Sequence, residues 1–199
     1  MIDKTNIEDI YGLTNMQEGM LYHWMTQPDA EAYYEQMTLR IGTEIDAEAM
    51  GESVKRAIKD NPVLRTLFFI KGLSKPRQVV LKASSNSLSV EEGGEEELKS
   101  YQKNDRKRKF DLEKEEPVRF KLIKDTDKGK SYLVLSFHHI ILDGWSMGLL
   151  LNEIADNYAQ YKSTGSIKPR TVTGFNSYIR WYEKTKSSTE AKKYWEEYL

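Results

Sequence analysis

The stretch Phe137-His138-His139-Ile140-Ile141-Leu142-Asp143-Gly144-Trp145-Ser146 holds two of the chain's three histidines. Tyr132 to Ile141 is apolar at both parities, the pattern of a strand covered on both faces, so it is expected at the centre of a sheet. Successive strand side chains point to opposite faces. His138 and His139 therefore do not converge on one ligand: one packs against helices and the other faces the far side, which argues against a metal site built on the pair. Asp143 falls in the turn, placed to cap the next helix or to meet an arginine. Gly144 suits a backbone that needs a positive φ or the close approach of a ligand. The following helix directs its free N–H groups and positive dipole end into the same region. A plainer alternative is a buried histidine pair satisfied by backbone, with Asp143 a simple cap. A chance match to His-His-x-x-x-Asp-Gly in a chain this long is expected roughly once in a few thousand sequences.

Working outward, Val118 to Lys124 reads as a second strand, joined to Tyr132–Ile141 by a turn at Asp125 to Lys130. A long helix follows from Ser146 to Lys162, with Met147, Leu150, Leu151, Ile154, Tyr158 and Tyr161 as its inner stripe. Ser146 is a second candidate for its cap. Near the start, Thr14 and Gln17 form a capping box for a helix over Asn15 to Thr26, ended by Pro28, with Met16, Met20 and Trp24 on one face. Tyr33 to Ile41 reads as a strand. Asp46 caps a second helix, stapled by Ile45 and Met50, with Met50, Val54, Ala57 and Ile58 buried and Asn61-Pro62 as its stop. Val63 to Ile70 and Gln78 to Lys82 read as a hairpin around a turn from Lys71 to Arg77. Acidic Glu91–Glu97 and basic Lys103–Lys109 flank only Leu98 and Tyr101, which predicts a solvated helix laced with i, i+4 ion pairs. Two short aromatic helices, capped near Thr173 and Ser188, end the chain. The fold class is α/β: a two-layer sandwich of a mixed sheet covered by helices.

The chain has 199 residues, a net charge of -1 and no cysteine. Disulfides, thiolate metal sites and a cysteine nucleophile are excluded, and neither charge sign is in the excess that nucleic-acid binding or an acidic tail requires. The N-terminus lacks a secretory pattern and no run reaches bilayer length, so the cytoplasm is the expected setting. Four Trp, twelve Tyr and six Phe are many, and they concentrate near the C-terminal end. That end must pack on the rest of the chain or on something outside it.

HHIILDGWS resembles the HHxxxDG motif of the condensation domains of nonribosomal peptide synthetases, which share the chloramphenicol acetyltransferase-like fold. LTNMQEGMLYH (Leu13–His23) resembles the family's first motif, LTPMQEGMLFH, with Asn15 in place of a common proline. NPVLRTLF (Asn61–Phe68) resembles the second, RHExLRTxF, though the residues before LRT depart from it. GFNSYIRWYE (Gly174–Glu183) is loosely similar to the fourth, YxDYAxWQ. The likeness runs from about Ile7 onward.

The resemblance implies amide-bond formation, in which the amine of a carrier-bound aminoacyl group attacks a carrier-bound acyl thioester. It implies that residues 1–199 form the N-terminal lobe of a condensation domain whose C-terminal lobe is absent, so that this lobe alone is inactive. His139 is then the catalytic histidine facing the tunnel, and His138 the inward structural one. Asp143 pairs with Arg65 to hold the loop. Gly144, Trp145 and Ser146 border the passage of the 4′-phosphopantetheine arm, which partner carrier proteins deliver; the lobe itself binds no cofactor and no metal. The expected partners are the C-terminal lobe, donor and acceptor peptidyl carrier proteins and an adjacent adenylation domain, with no nucleic acid and no membrane. The alternatives are an epimerization-domain lobe, disfavoured by the order Trp145-Ser146-Met147; a coenzyme A-dependent acyltransferase lobe, disfavoured by the doubled histidine; and a non-catalytic carrier-docking module. A hydrolase using Ser146, His139 and Asp143 is opposed by their closeness in the chain. His23 reads as a packed or surface residue.

Overall fold

The computed structural model describes residues 3–27, 30–70, 72–186 and 188–199. In chain order the elements are β1 (Ile7–Tyr11), α1 (Asn15–Thr26), β2 (Tyr34–Ile41), α2 (Ala47–Asp60), β3 (Thr66–Phe69), β4 (Arg77–Leu81), β5 (Leu88–Glu92), α3 (Glu95–Arg108), β6 (Val118–Asp125), β7 (Lys130–His138), α4 (Gly144–Thr164), α5 (Phe175–Thr185) and α6 (Thr189–Tyr198). The larger sheet has the order β2-β7-β6-β5, with β5 parallel to β6 and the other pairs antiparallel. β7 is a central strand, as its two-sided apolar pattern requires. Leu133, Leu135 and Phe137 enter the main core with Val54, Ala57 and Ile58 of α2 and Leu150 and Ile154 of α4. Tyr132 and Val134 enter a smaller core with Ile123 and Leu98 of α3.

The α/β class, the mixed sheet and its helical cover agree with the pattern in the sequence. The strands, however, divide into two sheets, the second of order β1-β4-β3. β1 and β5 lack a sequence signal because their IEDIY and LSVEE segments carry charge within short strands, β1 partly and β5 largely exposed. Pro62 starts a 3₁₀ turn (Pro62–Arg65), so the strand expected from Val63 begins only at Thr66. β7 stops at His138 rather than Ile141; Ile140, Ile141 and Leu142 are buried in the turn that follows. α1 has the Thr14–Gln17 capping box, but Met16 is 71% exposed, because Gln17 and Leu21 take the inward positions. Pro28, the expected stop of α1, and Lys71, the first residue of the expected turn, lie outside the described residues. α5 has its N-cap at Gly174, next to the expected Thr173, and leans on β1 through Tyr11–Phe175 (ring centroids 6.5 Å apart) and an Asn176 to Asp9 hydrogen bond of 2.8 Å. Tyr178, Trp181, Tyr194, Trp195 and Tyr198 stay exposed.

The charges of α3 act differently from the expected i, i+4 lacing: they reach off the helix. Glu95 meets Arg40, Arg106 meets Glu31, and Arg108 meets Glu115. Asp105 is buried against the sheet, accepting from Arg119 Nε and from the Tyr34 hydroxyl, each at 2.7 Å, while the Arg119 guanidinium lies 3.8 Å from the Phe110 ring centroid. With little apolar surface of its own, α3 is latched by this polar contact. Removing one member of a buried pair strands the other, so Asp105→Ala is expected to cost about 3–5 kcal/mol. Glu31→Ala, at a solvent-exposed pair, is expected to cost under about 1 kcal/mol. Urea unfolding of the two variants checks this, and similar midpoints would refute the latch.

Candidate functional site

β7 delivers the histidines by running out of partners. His138 is opposite Tyr34 in the register, and its N–H donates to the Pro117 carbonyl at 3.0 Å. His139 N–H donates to the Tyr33 carbonyl at 2.8 Å, and Ile141 N–H closes the turn onto the His138 carbonyl at 3.2 Å. His138 is 3% exposed. Its Nδ1 accepts the Ile140 N–H at 3.1 Å, which puts the proton of the neutral ring on Nε2, and Nε2 has no partner among the described residues. Burial, and then the neighbouring His139 charge, push His138 down to about 4. The ring lines a pocket of about 480 Å³ with His23, Trp24, Tyr34 and Phe110, and His139 is not part of that lining. His139 is half-buried, and its Nδ1 has no hydrogen-bond partner among the described residues.

Asp143 does not pair with Arg65. Its Oδ1 accepts the Ser146 N–H at 2.8 Å and caps α4, so Ser146 receives the cap rather than providing it. Hydrogen bonds from the Ser146 backbone and side chain hold the Asp143 carboxyl below the usual carboxylate range, and the His139 charge adds a smaller effect in the same direction. Arg65 is buried elsewhere. It binds Glu8 at 2.7 Å and donates to the carbonyls of Leu81, Ile58 (3.1 Å) and Lys59 (3.3 Å). The reason is local: Ile58 and Lys59 lie in the last turn of α2, whose carbonyls have no partner in the helix, and a five-donor guanidinium just beyond that end satisfies them. Asp143, exposed at the start of α4, offers no comparable site. Gly144 does not adopt a positive φ; a Cβ there would meet nothing within 4 Å, so its surroundings are open. Trp145 is 86% exposed.

Two positioning features escaped the sequence. Gln17 Nε2 donates to the Ile140 carbonyl at 3.1 Å and to Gln78 Oε1 at 3.2 Å, while Gln78 Nε2 donates to Gln17 Oε1 at 3.1 Å and to the Gly12 carbonyl at 2.8 Å. This buried amide pair ties α1 and β4 to the histidine turn. The capping box and the first-motif resemblance both single out Gln17, but neither reveals the long-range contact. The other is Tyr33, with φ of 65°, whose carbonyl receives the His139 N–H.

The buried His138 makes stability pH-dependent. The folded ring titrates near 4 against an ordinary value of 6.5. As pH falls, the unfolded chain takes up this proton first, so stability is full above about 6.5 and is lost toward pH 4, by roughly 3 kcal/mol in total. His138→Asn keeps an acceptor for the Ile140 N–H but does not titrate. Between pH 6.5 and 4 the parent is expected to lose roughly 3 kcal/mol more than the variant in denaturant melts; parallel curves would count against it.

A family model described as the condensation domain matches residues 7–199. Among known proteins, the chain is 35% identical over 208 residues to surfactin synthase subunit 2 of Bacillus subtilis (strain 168), covering 100% of this chain and 6% of that protein. It is 32% identical over 203 residues to gramicidin S synthase 2 of Brevibacillus brevis, covering 98% of this chain and 4% of that one. Among solved structures, the starter condensation domain of the rhizomide synthetase RzmA superposes with a TM-score of 0.86 at 16% identity, over 96% of this chain and 50% of that one. The first condensation domain of the calcium-dependent antibiotic synthetase, in complex with substrate analogue 2a, gives 0.82 at 17% identity, over 94% and 46%. The chain thus spans about half of these solved condensation domains and a small part of the curated relatives. No helix among the described residues is long and apolar enough to cross a membrane. With the family model covering nearly its whole length and the two-sheet fold matching the solved domains, the chain belongs to the condensation domain family of nonribosomal peptide synthetases.

Proposed function

We propose that the chain is the N-terminal lobe of a condensation domain and that it supplies His139 to amide-bond formation between two carrier-bound substrates. The observation that carries this reading is the split at the end of β7: His138 is buried, while His139 is half-exposed on a turn fixed by the Tyr33 and Ile140 carbonyls. An α-amine, with an ordinary pKa near ~8, is partly neutral at physiological pH and needs no strong base to attack. Its nitrogen bonds to the thioester carbonyl carbon, the C–S bond breaks, and the sulfur leaves as the arm's thiolate. The proton shed by the attacking nitrogen passes to His139, or His139 holds the amine in line while that proton goes to the thiolate. No carboxylate bonds His139 Nδ1 among the described residues, so the ring is set by the backbone turn rather than by a triad partner.

The phosphopantetheine arm comes as part of the substrate. Gly144, with open space where a side chain would stand, and exposed Trp145 suit the border of its passage. The exposed aromatics of α5 and α6 suit a partner surface, and we assign it to the C-terminal lobe. Donor and acceptor carrier proteins and an adenylation domain complete the machinery, in a cytoplasmic setting. A four-domain nonribosomal peptide synthetase with a superposing segment (TM-score 0.73 over 92% of this chain and 14% of that one) supports partner domains in general.

In an intact condensation domain carrying this lobe, His139→Ala is expected to lower dipeptide formation from loaded carriers by about 10²–10⁴-fold, with an unchanged melting temperature. The lobe alone should form no product. An undiminished rate in the variant, or turnover by the lobe alone, would overturn the assignment.

A further inference from the structure

Beneath the histidine turn lies a second pocket, of about 300 Å³, between that turn, α4 and the segment that follows α2. Its walls include Ile140, Leu142, Leu149, Val63 and Phe175. Glu153 of α4 belongs to the same lining and is only 8% exposed. One of its oxygens, Oε2, accepts from Asn61 Nδ2 at 3.0 Å; the other, Oε1, is buried with no partner among the described residues. Asn61 Nδ2 also donates to the Ala57 carbonyl at 2.8 Å, so its donors are already engaged. Arg56 is near enough to feel the Glu153 charge, but its guanidinium is bonded to both oxygens of Asp60. One cation therefore faces two carboxylates, and a negative charge is left over beside an apolar cavity. A buried carboxylate without its own cation is unfavourable, whereas one that meets a fitting cation gains both a charge-assisted hydrogen bond and a counter-ion.

We propose that this pocket takes an organic ammonium group on a short apolar stem, with Glu153 Oε1 as the acceptor of its N–H. The stem packs on Ile140, Leu142 and Leu149. A cavity this size lies at the small end of ligand sites, about 300–1,000 Å³, which suits a short alkylammonium chain and not a bulky ring system. A neutral alcohol satisfies the hydrogen bond but not the charge, and a carboxylate meets like charge. Because Ile140 and Leu142 belong to the turn that carries His139, a ligand here packs against that turn, although His139 itself is not part of the lining. Resting on the proposed function, we assign the group to a basic side chain on a carrier-bound aminoacyl substrate; the ammonium site itself does not depend on that reading.

The test is direct binding to this chain, with no turnover involved. Titration with n-pentylammonium chloride, followed by methyl NMR, is expected to give saturable shifts at Ile140, Leu142, Leu149 and Leu150. 1-Pentanol should bind at least about tenfold more weakly, equivalent to 1.4 kcal/mol, and sodium chloride at matched ionic strength should give no saturable shift. Glu153→Gln should lose the preference for the ammonium probe. Leu149→Trp, which fills the pocket from an exposed position and leaves Glu153 in place, should abolish the shifts in a folded protein even where Glu153→Gln proves unstable. Equal binding of the alcohol, retention of the ammonium preference in a folded Glu153→Gln, shifts undiminished in Leu149→Trp, or no saturable shift in the parent would each overturn the proposal. Such a failure leaves the role of His139, which is read by product formation, untouched.

Discussion

The hydrogen bond from His139 N–H to the Tyr33 carbonyl is the last rung between β2 and the chain that leaves β7. The geometry of the site follows from it. One residue earlier, the ladder places His138 in the row of Tyr132, Val134 and Ser136, all of them buried. One residue later, the ladder is gone and the chain must turn, with its carbonyls in need of other donors. Gln17 answers at Ile140 and is itself held by Gln78. The turn is thus fixed from two sides, by a strand neighbour and by a buried amide pair. The half-exposed imidazole of His139 is placed by this backbone turn, with no hydrogen bond to its Nδ1 among the described residues. Tyr33 adopts a positive φ at this junction, a conformation uncommon for an aromatic residue and consistent with a backbone constrained by its neighbours.

The ionised and ionisable side chains in the interior fall into two groups. Arg65 and the Asp105–Arg119 pair are saturated: carbonyls at a helix end take the first, and a tyrosine hydroxyl and an aromatic face complete the second. These are satisfied groups that hold elements together, and nothing about them invites a ligand. His138 Nε2, His139 Nδ1, Glu153 Oε1 and Asp125 Oδ2 are the contrast, buried atoms without a hydrogen-bond partner among the described residues, although Lys128 Nζ lies 3.7 Å from Asp125 Oδ2. The first three belong to the histidine turn or to residues lining a cavity next to it, whereas Asp125 ends β6 at the other end of the sheet, beside Lys128. Buried polar atoms are normally satisfied, and three of these four exceptions gather around the histidine turn.

Much of this was legible in the sequence, for a physical reason. β7, α2 and α4 bury wide apolar stripes, and burial on that scale imposes a period that can be read directly; Thr14, Asp46 and Ser188 announce their helices through side-chain oxygens that act locally. What escaped depends on distant partners. Short β1 and β5 are strands only because β4 and β6 supply the ladder. Asp105 resembles any surface acid until Arg119, fourteen residues on, arrives from the sheet. The expected Asp143–Arg65 pair failed in the same way: opposite charges in two motifs do not reveal which nearer acceptors each will find first.

That failure bears on how the motif residues divide the work. An Asp143 bonded to Arg65 would brace the turn across the core, whereas the observed Asp143 acts over three residues, fixing the first turn of α4 and placing its charge near His139. The bracing falls instead to neutral groups, Gln17 and Gln78, which can be buried together without stranding a charge. Glu153, by contrast, keeps one carboxylate oxygen without a partner among the described residues at the wall of a cavity. The turn is thus held by amides, and the spare carboxylate at the cavity wall takes no part in holding it.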